Sequence, residues 1–174
     1  MELKLPVADA SPYPQIQVRE TSQLCARAML SQLGGSASEM STIAQYFYNS
    51  TVLAAKYPKI AEYFHRIAVV EMHHLSVFAQ LTCLSGGDPR LWSYREGRTV
   101  YWSPSALFYS NDPAALLNRA VMGENRTITE YRRLSGELPD PCVKALLERL
   151  ILDEEQHVLI FRQLLKEMGK GGRK

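Results

Sequence analysis

The chain is 174 residues long, 46% hydrophobic and 22% charged, which is the size and balance of one globular domain and excludes a disordered chain. Its formal net charge of +2 is too small to mark a nucleic-acid surface, and no apolar run approaches the ~20 residues of a membrane span. The three cysteines, Cys25, Cys83 and Cys142, form no C-x-x-C pair, which excludes a zinc-ribbon or rubredoxin-type site and argues against a secreted disulfide framework. The opening Met-Glu-Leu-Lys-Leu-Pro lacks the basic-then-apolar order of a signal peptide, so the expected location is cytoplasmic.

Residues 1–18 carry Pro6, Pro12 and Pro14 and read as extended. A short helix is expected over 19–33, stopped by Gly34-Gly35. A longer helix follows over 36–56. Pro58 opens the next, where proline is tolerated in the first turn, and that helix runs to Leu84 before Ser85-Gly86-Gly87. Residues 85–112 have no helical period and hold Trp92, Tyr94, Tyr101, Trp102, Phe108 and Tyr109, aromatics expected to cover the flank of the helices. Asp112-Pro113 and Asp140-Pro141 each pair an N-cap acid with a first-turn proline. They open helices over 113–136 and 141–168.

The links at 57 and 138 are only a few residues, so each pair of long helices must form an antiparallel hairpin. The link at 85–112 is long enough to travel the length of a bundle. The expected fold is therefore all-α: a four-helix bundle over 36–168 with one long crossover between its second and third helices. An N-terminal extension with a short helix occupies 1–35, and a disordered basic tail occupies 169–174.

The two hairpins repeat each other. Residues 39–46 and 124–131 both read E-x-x-T-I-x-x-Y, and residues 71–81 and 154–164 both read E-x-x-H-x-x-x-F-x-Q-L. Positions three apart on an α-helix differ by roughly 60°, and positions seven apart by roughly 20°. Glu71 and His74 therefore share a face, as do Glu154 and His157. Tyr46 and Tyr131 lie above Glu39 and Glu124. Counted from the turns, all six acid and imidazole positions fall within about one helical turn of the same height. Four carboxylates and two imidazoles thus converge at mid-bundle. Four buried glutamates without compensation would be prohibitive, and two divalent metals neutralise them. One Glu from each of two helices plus Glu-x-x-His from the other two is the donor set of di-iron and di-manganese carboxylate bundles. With no sulfur ligand, iron or manganese is favoured over copper(I).

A single E-x-x-H is usually a solvated pair, and Glu39 alone can be read as a capping-box acid after Ser36. Glu124, in mid-helix, has no such alternative. Thr42 and Thr127 either bond back to their own helices or line the site. Tyr46 and Tyr131 are candidate donors to the ligand carboxylates. His65, His73, Glu62 and Glu155 point away from the ligand face. Asp153, one residue off it, reads as a surface residue ahead of a partner for an imidazole.

These motifs resemble those of the ferritin-like superfamily over residues 36–168, with rubrerythrins and bacterioferritins nearest and manganese catalases next. The resemblance implies Glu39, Glu71, His74, Glu124, Glu154 and His157 as metal ligands, with Glu71 and Glu154 bridging and two metal ions per chain, iron first and manganese second. It implies a redox enzyme acting on hydrogen peroxide or dioxygen, with Glu71, Glu154, Tyr46 and Tyr131 at the reacting centre. The alternatives it carries are manganese catalase-like disproportionation and iron oxidation with storage. Rubrerythrins have a further Glu where this chain has Thr127, and they add a rubredoxin domain for which this chain has no C-x-x-C, so the resemblance implies a separate electron-donor protein. The aromatic crossover and N-terminal extension are more similar to manganese catalases than to cage-forming subunits. A homo-oligomer, a dimer first, is expected, with no nucleic-acid or membrane partner.

Overall fold

The computed structural model describes residues 5–171, with side chains through 169. The helices are α1 (Gln23–Gly34), α2 (Glu39–Leu53), α3 (Pro58–Leu84), α4 (Pro113–Glu137) and α5 (Pro141–Gly171). The caps act as their sequences dictate. Asp112 accepts from the backbone N–H groups of Ala114 and Ala115, and Asp140 accepts from Cys142 N at 2.8 Å, satisfying donors that a helix start leaves open. The first helix of the bundle is shorter than expected at both ends. Ser38 is extended at φ −117°, and at the other end the chain turns, with Leu53 O accepting from Tyr57 N at 2.8 Å just ahead of Pro58. The last helix runs on through Gly169 to Gly171, past the expected stop. The end of the expected tail, 172–174, lies outside the described residues.

Helices α2 and α3 form one antiparallel hairpin, and α4 and α5 the other. Two apolar clusters fill the bundle at its two ends. One joins α1 to Phe78, Leu81, Tyr131, Leu134, Leu146 and Leu150. The other gathers Tyr46, Leu53, Phe64, Ile67, Leu117, Phe161 and Leu164. Each motif tyrosine packs on the motif phenylalanine of the opposite hairpin, Tyr46 on Phe161 at 5.5 Å and Tyr131 on Phe78 at 5.3 Å between ring centroids, so the internal repeat is a packing repeat too. The most apolar 18-residue window of α3 has a mean hydropathy of 1.4, enough by length and composition for a membrane span. In the fold, α3 buries Phe64, Ile67, Val77 and Phe78 beside Glu71 and His74.

The crossover is not structureless. It forms an antiparallel hairpin, β1 (Trp92–Arg95) with β2 (Arg98–Tyr101), in which Trp92 pairs with Tyr101 and Arg95 with Arg98. Glu96 at φ 51° and Gly97 at φ 76° make a two-residue turn with both angles positive, the geometry that matches strand twist. The crossover is pinned to α2 by a two-way bond. Gln45 Nε2 donates to Phe108 O at 2.8 Å and Phe108 N donates to Gln45 Oε1 at 2.7 Å. Trp92 and Trp102 are half-buried on the flank as expected, whereas Tyr94, Tyr101, Phe108 and Tyr109 are exposed.

Gly34 ends α1 where β1 crosses it. A Cβ there would lie 2.4 Å from Trp92 N and 2.6 Å from Leu91 C, both backbone atoms that cannot step aside. Gly34→Ala is expected to destabilise the fold by about 1–3 kcal/mol, read as a lower denaturant midpoint at unchanged helix content; an unchanged midpoint would refute this close approach.

Candidate metal centre

Between the two apolar clusters lies a polar layer. Glu39 from α2, Glu71 and His74 from α3, Glu124 from α4, and Glu154 and His157 from α5 are all buried there, none more than 3% exposed. The structure brings together all six residues that the sequence singled out. They fall into two sets, each with candidate ligand atoms within 4.8 Å of one another: Glu39, Glu71, His74 and Glu154, and Glu71, Glu124, Glu154 and His157. Glu71 and Glu154 belong to both.

The shared pair faces both histidines. His74 Nδ1 is 3.0 Å from Glu71 Oε2 and 3.0 Å from Glu154 Oε1. His157 Nδ1 is 3.1 Å from Glu71 Oε1 and 3.3 Å from Glu154 Oε2. Each carboxylate thus turns one oxygen to each imidazole. The rings lie 6.2 Å apart and stacked.

The outer nitrogens settle what the inner ones offer. His157 Nε2 lies 2.9 Å from Val7 O. A carbonyl only accepts, so Nε2 carries the proton, and in the neutral ring Nδ1 is a bare lone pair. That lone pair points at carboxylate oxygens. His74 repeats the arrangement, with Nε2 3.1 Å from Asp153 Oδ2. Lone pairs aimed at anions repel unless a metal cation or a proton stands between them. Glu39 Oε1 is buried with no hydrogen-bond partner among the described residues, another acceptor awaiting a cation. The donor set fits two divalent ions.

Metal-free, the same layer must hold protons. Burial, then the charges of Glu71 and Glu154, push Glu39 well above the usual carboxylate range. Burial, then Glu154 and Glu71, do the same to Glu124. Burial would also raise Glu71, but His157 and His74 overcome it and hold that carboxyl low. Burial alone would lower both imidazoles; Asp153, Glu154 and Glu71 hold His74 well above its ordinary value, and Glu71 and Glu154 do so for His157.

Around the six, the two tyrosines part company. Tyr46 donates its hydroxyl to Glu124 Oε1. Tyr131, the matching residue of the repeat, is fully buried, yet its hydroxyl has no partner among the described residues, so of the two candidate donors only Tyr46 meets one of the six carboxylates. Glu39 does not close a capping box, because α2 begins at Glu39 itself with Ser38 as its cap. Thr42 does both things open to it. Its hydroxyl bonds back to Ser38 O at 3.4 Å, and with Thr127 it lines a groove of about 70 Å³ between α2 and α4 that reaches Tyr46 and is flanked by Arg119 and Arg126. His65 and His73 are exposed, as expected.

Asp153 departs from its expected surface position. It is fully buried, bonded to His74 and ion-paired with Arg149 Nη1 at 2.9 Å. Burial would raise its pKa, but His74, Tyr13 and Arg149 hold it well below the usual range. Burial and that same contact push Tyr13 up to about 12. Arg149 and Asp153 are four apart on a helix, a spacing that favours pairing, and that was the signal in the sequence. The Tyr13 contact left none.

A family model described as Ferritin-like matches residues 34–114, which contain Glu39, Glu71 and His74. No curated protein matches. Among solved structures, the fold is similar to KatB, a manganese catalase from Anabaena, at 22% identity over 93% of this chain and 80% of that one, with a TM-score of 0.80. It is also similar to Rhodobacter capsulatus bacterioferritin, at 21% identity over 87% and 89%, TM-score 0.73, and to a dodecameric thioferritin from Bacteroides fragilis, at 17% identity over 88% and 91%, TM-score 0.69.

Proposed function

We propose, from the premise of a ferritin-like fold, that this chain binds two iron or manganese ions and reduces hydrogen peroxide or dioxygen. Glu39, Glu71, His74, Glu124, Glu154 and His157 are the ligands in this reading, with Glu71 and Glu154 bridging. The observation that carries it is the crossed geometry of Glu71 and Glu154, each with one oxygen toward each imidazole Nδ1. Two such ions, when bound, supply one electron each and Lewis acidity toward an O–O bond.

The chain's own residues supply the rest. The groove between α2 and α4, about 70 Å³, has room for a few molecules of water size, which suits an oxidant of two oxygen atoms. Arg119 and Arg126 flank it, so its mouth repels divalent cations and admits neutral or anionic solutes. That favours an oxidant over iron taken up for storage through this route. Tyr46 stands at its inner end, donating to Glu124. Burial and the neighbouring carboxylates push its pKa well up, so the phenol stays protonated, holding Glu124 in place and keeping a proton beside the reacting centre.

A second reading is disproportionation of peroxide without a donor protein. The likeness to the manganese catalase KatB over 93% of this chain favours it. Elemental analysis of protein purified without added metal or chelator, followed by peroxide assays with and without reductant, tests both. Two ions per chain and peroxide loss only with reductant are expected for the first reading; oxygen evolution without reductant selects the second. A metal content that stays near zero after anaerobic loading with iron and manganese refutes both.

A further inference from the structure

Both imidazoles of the centre are held from outside the bundle by one short stretch of chain. The Val7 carbonyl accepts from His157 Nε2 at 2.9 Å. Two residues on, Asp9 N donates to Asp153 Oδ1 at 2.7 Å, and the Tyr13 hydroxyl donates to Asp153 Oδ2, the oxygen that accepts from His74 Nε2. The buried Arg149 fastens the stretch down. It donates to Ser11 O at 2.8 Å and Asp9 O at 2.9 Å, and its guanidinium lies 4.0 Å from the centroid of the Tyr13 ring.

We propose that the N-terminal segment from Val7 to Tyr13 is a structural part of the metal centre, fixing both imidazoles with Nδ1 free for metal, so that segment docking and metal binding strengthen one another. The inference rests on reading the six buried residues as ligands. An imidazole without an outer acceptor can exchange tautomers or turn its ring, and either puts the wrong nitrogen toward the metal. Losing such an outer partner typically costs 10–100-fold in metal affinity. By reciprocity, whatever the docked segment adds to metal affinity, bound metal adds to the docking of the segment.

The two halves depend on different parts of the segment. His157 leans on a neutral backbone carbonyl. His74 leans on a carboxylate held in turn by Asp9 N, Tyr13 and Arg149. Tyr13 and Asp153 are therefore positioning residues for the Glu39–His74 half, whereas removing residues 1–12 takes the Val7 carbonyl from the His157 half and the Asp9 N–H from the His74 half.

The test measures Mn²⁺ affinity by competition with a chromophoric chelator, for the intact protein, Tyr13→Phe, Asp153→Asn and a chain lacking residues 1–12, with circular dichroism as the check on folding. A second readout is the rate at which protease cuts the segment with and without Mn²⁺. Asp153→Asn is expected to weaken one of two ions 10–100-fold, with Tyr13→Phe acting in the same direction, while the truncation weakens both. Mn²⁺ should slow cleavage of the segment in the intact protein. If the truncation does not fold, the two point variants carry the test, since Tyr13→Phe removes a single hydroxyl. Folded variants that hold both ions within twofold of the intact protein, with cleavage indifferent to Mn²⁺, overturn the inference. Intact protein that binds no Mn²⁺ or Fe²⁺ overturns the proposed function instead.

Discussion

Replacing Glu71 or Glu154 by Ala is expected to release both metal ions, whereas Glu39→Ala or Glu124→Ala releases one. Glu71 and Glu154 each face both imidazoles and belong to both ligand sets. Glu39 and Glu124 belong to one set each. Removing one partner from a buried charge cluster costs about 3–5 kcal/mol, roughly 10²–10⁴-fold in affinity, and for a bridging carboxylate that loss falls on both ions. Peroxide turnover should drop by at least the same factor in all four, because two electrons are needed and a chain left with one ion or none supplies one at most. Elemental analysis of the four purified variants reads the pattern directly. Equal metal loss in all four, or undiminished turnover by Glu71→Ala, would contradict the bridging assignment.

Removing the metal is expected to make stability fall as pH rises from about 5 to 8. Glu39 and Glu124 are held well above the usual carboxylate range in the folded chain, while in the unfolded chain they ionise near pH ~4.3. Above that pH the folded chain holds more protons than the unfolded one, so stability declines until the raised folded values are passed. His74 and His157, also raised, add stability that is complete below about pH 6.5 and is lost above it, in the same direction. Glu71 is lowered and works oppositely, but only below pH ~4.3. Each group holding one extra proton contributes about 1.4 kcal/mol per pH unit, and each kcal/mol is roughly 2–4 °C at this chain length. The melting temperature of chelator-treated protein should therefore fall by several degrees for each extra proton held per pH unit within the window. Metal takes the place of those protons. At a free concentration a thousand times its dissociation constant it restores about 4 kcal/mol, and the melting temperature at pH 8 rises accordingly. Calorimetry of the two forms checks both statements. A flat or rising profile for the metal-free protein would mean that the layer is not charge-frustrated and has no need of cations. Glu39→Gln should flatten the metal-free profile in part, because an amide carries no charge to bury.

The six acid and imidazole residues were legible because helical geometry turns spacing into position. Three residues apart on a helix is one face, and two hairpins of matched length put four such faces at one height. The repeat made the reading redundant, each half confirming the other. The helix starts were legible for the same local reason, since Asp-Pro caps act within their first turn. The crossover hairpin left a local signal as well, Glu96-Gly97 between β-prone residues, masked by the absence of a clear alternating pattern around it. β2 is exposed along its whole length and β1 over half of its own, so burial leaves no period of two to read.

What lay beyond the sequence depends on contacts distant along the chain. Asp153 looks like a surface residue on its own helix, and it is buried because the N-terminal segment covers that face and Arg149 closes it, 140 residues from its bond to Asp9. No periodicity encodes where an extended, proline-rich segment will lie. Tyr131 shows the converse. The repeat predicts that it matches Tyr46, and the backbone does place it so, but its hydroxyl finds no acceptor, because side-chain hydrogen bonds answer to displacements smaller than sequence spacing resolves. The sequence by itself therefore determined the bundle, the order of its helices and the donor set, through local turns, caps and helical period. Only the tertiary structure decided the outer acceptor each histidine meets, the asymmetry of the two tyrosines and the covering of the centre by the N-terminal segment. Those features rest on ångström-scale packing between parts of the chain that carry no local record of one another.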